Sequence, residues 1–244
     1  DTDALSAVCA EFAKEDFVTI DTEFMREKTY YPQLCLVQLG NDEKAVAIDT
    51  LAEGLDLAPL VDLLKNRDVL KVFHAARQDL EIFYHLCGEL PAPVFDTQVA
   101  GMICGFGDSV SYDKLVQSLT GVQLDKSSRF ADWSHRPLSE KQIGYALADV
   151  IHLRPVYRAL VDSIEKSGRA EWIAEEVEKM SEPALYDPDP DTVWQRLKVR
   201  SGKPKFLAVL QQIAAFRERE ARQPAPNCRP RTTSVKRRVR SSSC

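Results

Sequence analysis

The stretch "LCLVQLGNDEKAVAIDT", residues 34–50, holds two short apolar runs separated by the turn signal Gly40-Asn41-Asp42. Two such runs around a tight polar turn form an antiparallel hairpin. Just before it, "FVTID" at 17–21 is rich in β-branched and aromatic residues, as a strand prefers, and residues 3–15 have the apolar spacing of an amphipathic helix. Beyond the hairpin the pattern changes. "LAPLVDLLKN" (57–66) is helical, "VLKVFHA" (69–75) is a fourth strand, and "RQDLEIFYHLCG" (77–88) is a helix closed by Gly88. "APVFDTQVAGMICG" (92–105) begins extended and turns helical, and 105–113 is a polar loop. From 138 to 168 a long helix runs, with Ser139 as N-cap and Gly168 as stop. A hairpin followed by alternating strands and helices predicts an α/β fold: a mixed β-sheet with antiparallel and parallel parts, flanked by helices, and not a doubly wound dinucleotide fold.

The 244 residues, 44% apolar and 28% charged, have the make-up of a globular protein with one large unit and a smaller one. No apolar stretch approaches the roughly 20 residues of a membrane span, and no signal peptide opens the chain, so the expected location is cytoplasmic, away from membranes. Six cysteines (Cys9, Cys35, Cys87, Cys104, Cys228, Cys244) form no C-x-x-C pair and suggest neither a zinc site nor a disulfide framework. The net charge of −5 hides an asymmetry: residues 1–190 hold 18 Lys and Arg against 34 Asp and Glu, whereas 191–244 hold 14 against 3. An acidic body thus carries a basic end. A boundary falls at "SEPALYDPDPDT" (181–192), where prolines and acids interrupt the helical pattern. Two helical pieces follow, 194–199 and 204–222.

Two acids, Asp21 and Glu23, sit in the strand "FVTIDTEF". Side chains at i and i+2 share a strand face, so the two project together; alone, a D-x-E more often marks an exposed strand end. Asp79 falls in the first turn of the helix after "VLKVFHA", near the carboxyl edge of the sheet, where it also suits the helix dipole. Tyr145 and Asp149, four apart in "YALADV", share a helix face, and Asp149 lies in an apolar stretch. Carboxylates converging without cations repel and resist desolvation, so a cluster of these four is most reasonable as a hard-metal site for magnesium or manganese. Two such ions about 3.5–4 Å apart suit phosphodiester hydrolysis. Spacing alone does not show that the four acids meet.

These residues stand in a wider pattern. "DTEF" followed by "YYPQLCLVQL", then "FHAARQDLEIF", then "LDKS" with "DWSHRPLSEKQIGYALADV", then "LKVRSGKPKFLAVLQQIAAFREREA" occur in the order of a known family. On these motifs, which span nearly all of 1–222, the chain resembles bacterial ribonuclease D, of the DEDD 3′-to-5′ exonuclease superfamily, in the subgroup with a tyrosine in the third motif. The resemblance implies a ribonuclease-H-like sheet and two divalent ions, Mg²⁺ or Mn²⁺, held by Asp21, Glu23, Asp79 and Asp149. It implies that Tyr145 positions the attacking water. It also implies an RNA partner with a free 3′ end, especially precursor tRNA, and it implies no stable protein partner; the composition argues against a membrane. The expected division is a catalytic domain at 1–168, a helical segment and linker at 169–192, a partial HRDC-like helical module at 193–223, and, outside the family pattern, a basic, disordered tail at 224–244.

Weaker candidates lie nearby. Lys126, Arg129 and Trp133 are candidates to touch the substrate strand, Trp133 through a stacking face, with a core tryptophan as the equal alternative. Phe24 and Met25 are candidates to wedge against the terminal base, and His74 reads as a packed strand-end histidine. After residue 223 the family pattern gives way to "PAPNCRPRTTSVKRRVRSSSC". A natural basic tail and a shifted reading frame both remain open there, because arginine codons of the CGN type read one base later give G-N-C triplets. Asp1 is not a methionine, so a few residues are expected before it. Two rival functions also stay open: the same chemistry on DNA, and a non-catalytic RNA-binding module.

Overall fold

A computed structural model describes residues 1–223. The expected basic tail, with Cys228 and Cys244, lies outside the described residues. Cys9, Cys35, Cys87 and Cys104 are free thiols.

Helix α1 (Thr2–Phe12), capped by the Asp1 side chain at 2.8 Å from Ala4 N, leads into β1 (Phe17–Met25). Strands β2 (Gln33–Gly40) and β3 (Ala45–Asp49) form the expected hairpin. Asn41 closes it, accepting hydrogen bonds from Glu43 N and Lys44 N at 3.0 and 2.8 Å. After α2 (Ala58–Lys65), β4 (Leu70–Phe73) and β5 (Val94–Asp96) flank α3 (Arg77–Cys87). The five-stranded sheet has the order β3-β2-β1-β4-β5. β1 is antiparallel to β2 and parallel to β4, and β4 is parallel to β5. β1 therefore lies at the centre, where the sheet changes from antiparallel to parallel, and it carries both motif acids.

β1 runs to Met25, past the expected end at Asp21, because β2 continues to pair with it. The register shifts between Glu23 and Phe24, which face Leu36 and Leu34, so Cys35 is an extra residue on β2. Such a bulge re-aims side chains at the end of a strand. Helices α4 (Thr97–Ile103) and α5 (Tyr112–Thr120) follow; α5 occupies sequence with no expected element, its start cutting into the predicted loop. The long helix α6 (Glu140–Ser167) opens with a capping box between Ser139 and Gln142 and ends at Gly168, whose φ of 66° suits glycine. Then come α7 (Ala170–Met180), a 3₁₀ turn at Val193–Arg196 where a helix over 194–199 is predicted, and α8 (Pro204–Ala221). Two apolar clusters sandwich the sheet, one under α1, α2 and α3 and the other under α4, α5, α6 and α7. Among the described residues no helix is long and apolar enough to cross a membrane.

α6 is pressed against the sheet at one place. A Cβ on Gly40 would lie 2.6 Å from Thr19 Oγ1 and 3.2 Å from both Val150 Cβ and Val150 O, so only glycine allows the approach. The Thr19 hydroxyl lies 2.8 Å from Val150 O and locks the contact. Next to it Arg154 is buried at 5% exposure; it donates to Gly40 O at 3.1 Å and to Asp42 Oδ1 at 2.9 Å, and it stacks 4.1 Å from the Phe17 ring centroid. A buried guanidinium needs such a set of partners. Gly40→Ala is expected to lower unfolding stability by about 1–3 kcal/mol through overpacking. Denaturant unfolding of the variant checks it, and an unchanged midpoint would show that α6 tolerates displacement.

Candidate functional site

A cleft of about 380 Å³ opens over the end of β1. Asp21, Thr22 and Glu23 line it from β1, Tyr145 and Asp149 from α6, and His74 and Ala75 from the β4–α3 turn. The β-pleat and the helix repeat bring the first and third motifs together: one carboxylate oxygen from each of Asp21, Glu23 and Asp149 lies within 4.8 Å of the others. Asp79 does not join this group. It is buried at 7% exposure and accepts a 2.5 Å hydrogen bond from Thr22 Oγ1, the side chain between the two β1 acids. The expectation of four acids meeting is therefore met by three, with the fourth held one hydrogen bond away through Thr22.

The electrostatics follow from burial and like charge. Burial pushes Asp21 up from its ordinary 3.8 to about 6. Burial, then the charges of Asp21, Asp149 and Asp79, push Glu23 up to about 10. Burial and the Asp21 charge push Asp149 to about 8. Asp79 is raised well above the usual carboxylate range by burial and then by Asp21, against the opposing Thr22 hydrogen bond. Each shift reports the cost of burying a carboxylate among others of its kind. Gln38 lies directly opposite Asp21 on β2, fully buried, with neither Oε1 nor Nε2 hydrogen-bonded. All donors are hard oxygens, so the residues fit a hard divalent cation such as Mg²⁺.

Tyr145 sits one turn before Asp149 and opens onto the same cleft. Burial, and then Asp149, Glu23 and Asp21, raise its hydroxyl, which stays protonated at neutral pH. Three supporting residues escaped the sequence reading. Thr22 holds Asp79. Tyr112 donates to Asp149 O at 2.5 Å and so fixes the α6 turn that carries Asp149. Asp96 accepts from Ala75 N at 3.0 Å, Ala76 N at 2.8 Å and Gln98 N at 2.7 Å, which ties the turn before α3 to the start of α4. That turn needs a clamp because Ala75 has φ 56°, an unfavourable region for any residue with a Cβ. The only legible signal was Asp96 ahead of a helical run, an N-cap pattern.

The candidate substrate residues fall differently. Lys126 lines the cleft and pairs with Asp113 at 2.5 Å, and Arg129 lines it as well. Trp133 is only 2% exposed and packs with Cys35, Leu36 and Ala146, its ring 6.1 Å from that of Tyr145. It supports Tyr145 from behind and offers no stacking face, which corrects that expectation. Met25 packs against the same cluster, and Phe24 is half-buried at the end of β1. His74 is a packed strand-end histidine, Nδ1 3.0 Å from Thr97 Oγ1, and burial lowers its pKa.

Comparison with known proteins agrees with this geometry. The chain is 56% identical over 220 residues to the ribonuclease D of Gluconacetobacter diazotrophicus, an alignment that covers 90% of this chain and 56% of that protein. It therefore spans little more than half the length of the curated relatives it matches. Its fold matches Escherichia coli RNase D, described as an exoribonuclease involved in structured RNA processing, with TM-score 0.81 and 37% identity over 90% of this chain and 59% of the other. The ribonuclease-H-like mixed sheet is thereby shown. Brucella melitensis NrnC with bound Mg²⁺ matches with TM-score 0.64 and 26% identity over 79% of this chain and 94% of the other. The model of the 3′-5′ exonuclease family matches residues 1–165, more than half of the chain, and the chain belongs to that family.

Proposed function

We propose that this chain is a metal-dependent 3′-to-5′ exoribonuclease that trims RNAs with free 3′ ends, precursor tRNA among them, and releases 5′ nucleotides. The observation that carries the reading is the convergence of Asp21, Glu23 and Asp149 within 4.8 Å in a cleft that Tyr145 also lines. The names of the relatives support the RNA substrate. Asp21, Glu23 and Asp149 would hold two divalent ions, Mg²⁺ or Mn²⁺, with Asp79 completing the set from its place beside Thr22. When bound, such ions neutralise the scissile phosphate and raise the acidity of a water. The reaction adds water oxygen to phosphorus and breaks the bond to the 3′ oxygen of the preceding nucleotide, which leaves with a proton. Tyr145 stays protonated at neutral pH, so its hydroxyl orients the water by hydrogen bonding and does not act as the base. The catalytic unit at 1–168, the linker at 169–192 and the HRDC-like piece at 193–223 remain our division of the chain.

Incubation of the full chain with a 3′-extended RNA and a matched DNA strand, with Mg²⁺ or with chelator, tests the reading. The RNA should shorten only with metal; shortening of DNA alone would move the chain to DNA, and binding without shortening would remove the enzyme reading. Asp149→Asn should abolish trimming with the fold intact by circular dichroism, since one charged ligand is lost, and full retained activity would take Asp149 out of the site. Tyr145→Phe should lower kcat by about 10²-fold with little change in KM, because the water loses its orientation.

The raised carboxylates also predict how the metal-free fold responds to pH. Each acid keeps its proton to a higher pH in the folded chain than in the unfolded one. The stability this contributes is fully present below the ordinary 3.8 to 4.5 and is lost as pH rises through about 6 for Asp21 and about 8 for Asp149. Melting in chelator should fall across that window, and excess Mg²⁺ should reverse most of the fall by binding the ionised cluster. A melting temperature indifferent to both would contradict a buried carboxylate cluster.

A further inference from the structure

The segment from 121 to 139 joins α5 to α6 and forms one lip of the cleft, to which it contributes Leu124, Asp125, Lys126 and Arg129. At its tip, in the turn closed by Ala131 N donating to Ser128 O at 3.0 Å, stands Phe130. Its ring is 92% exposed, the most exposed large apolar side chain among the described residues. The segment is pinned on both sides. Asp125 accepts from Ser127 N at 2.9 Å, Ser128 is buried, and Trp133 is 2% exposed. Arg136 forks onto Asp49 at 2.7 and 2.8 Å and donates to Cys35 O at 2.9 Å. Phe130 is therefore held out by a fixed backbone while its neighbour three residues on is driven into the core.

An apolar ring so exposed gains nothing from folding. The Arg129 guanidinium lies 5.5 Å from its centroid, and among the described residues no carboxylate pairs with Arg129. The lip thus presents an aromatic face next to a free cation, at the mouth of a cleft whose floor is acidic. An aromatic face takes any base by stacking, and a guanidinium takes a phosphate. Resting on the exonuclease reading above, we infer that Phe130 and Arg129 form a stacking and phosphate subsite for a single-stranded RNA segment upstream of the terminal nucleotide. Phe130 stands just outside the cleft, beside Arg129, which lines it, whereas the other strongly exposed aromatics, Trp172 on α7 and Phe216 on α8, have no cleft-lining residue next to them in the chain.

The test uses the full chain with Phe130→Ala and Phe130→Trp. Two measurements are made: anisotropy binding of a single-stranded RNA in chelator, and the ratio of kcat/KM for that RNA to kcat/KM for bis(p-nitrophenyl) phosphate, a diester too small to reach the lip. Phe130→Ala should weaken RNA binding about tenfold and lower the ratio by a similar factor, and Phe130→Trp should restore both. An abasic nucleotide at one upstream position should give the wild type the same loss and add nothing to Phe130→Ala. Binding and ratio unchanged in Phe130→Ala would overturn the subsite while leaving the exonuclease reading in place. Wild-type binding that depends on Phe130, without hydrolysis of either substrate, would keep the subsite and remove the catalysis. A shift of Phe130→Ala from dimer to monomer, with RNA binding intact, would assign the ring to contact between copies and also overturn it.

Discussion

The close approach of α6 to the sheet at Gly40 is the contact on which the candidate site depends. β1 supplies Asp21 and Glu23, and Asp149 comes from a helix that is distant in sequence. The two can meet only if helix and strand lie nearer than ordinary side chains permit, and Val150, the residue next to Asp149, is the one seated over Gly40. Thr19 and Arg154 then hold the helix in register through its Val150 carbonyl and the Gly40 carbonyl. A small residue, a hydroxyl and one buried guanidinium set the position of an acid that none of them touches.

That position opposes the local electrostatics. Apolar packing on both faces of the sheet supplies the favourable free energy, and part of it holds three acidic groups together with a fourth beside them. Thr22 illustrates how the conflict is managed. It points away from its two acidic neighbours on β1, yet it donates a hydrogen bond to Asp79, so a hydroxyl partly compensates the one acid outside the group. Gln38, buried opposite Asp21 without a partner, has no such compensation. A leucine of similar size would leave no buried amide unsatisfied there, so the amide beside the acids fits a site organised around a cation better than an apolar core.

The sequence exposed those parts of this arrangement that depend on local periodicity. The hairpin at 34–50, the strand 69–75 and the helix 138–168 were legible because turn residues, β-branched runs, an N-cap serine and a closing glycine act over a few positions. The shared face of Asp21 and Glu23 followed from the pleat, and that of Tyr145 and Asp149 from the helix repeat. What was hidden depends on contacts between distant segments. Trp133 looked as available for stacking as for the core, because nothing near it in sequence shows that Cys35, Leu36 and Ala146 close over it. Asp79 matches its motif, but whether it joins the other acids or bonds to Thr22 is decided by how α3 leaves β4. α5 went unread because "YDKLVQSLT" is short and half polar, and it buries only Leu115 and Val116.

The docking of α8 gives the charge asymmetry of the chain a structural meaning. α8 turns Glu218, buried at 4% exposure, toward the segment that leaves β1, where the Tyr30 hydroxyl donates to it. Arg222 pairs with Glu218 at 3.0 Å and with Asp187 at 2.8 Å, and lies 5.8 Å from the Tyr30 ring centroid. Of the three acids of the basic end, Glu218 fixes it to the body by facing inward, and Asp191 pairs within it, with Arg219 at 2.5 Å. Lys198, Arg200, Lys203 and Lys205 appear in none of the ion pairs among the described residues, so the positive charge left over is held against the acidic body by a defined contact. Because that contact is made by the segment that continues the strand of Asp21 and Glu23, the described part of the basic end, 191–223, has a fixed relation to the acids. On the function proposed above, a polyanion drawn to one would thereby be delivered near the other, so that long-range attraction and short-range metal chemistry would act on the same strand.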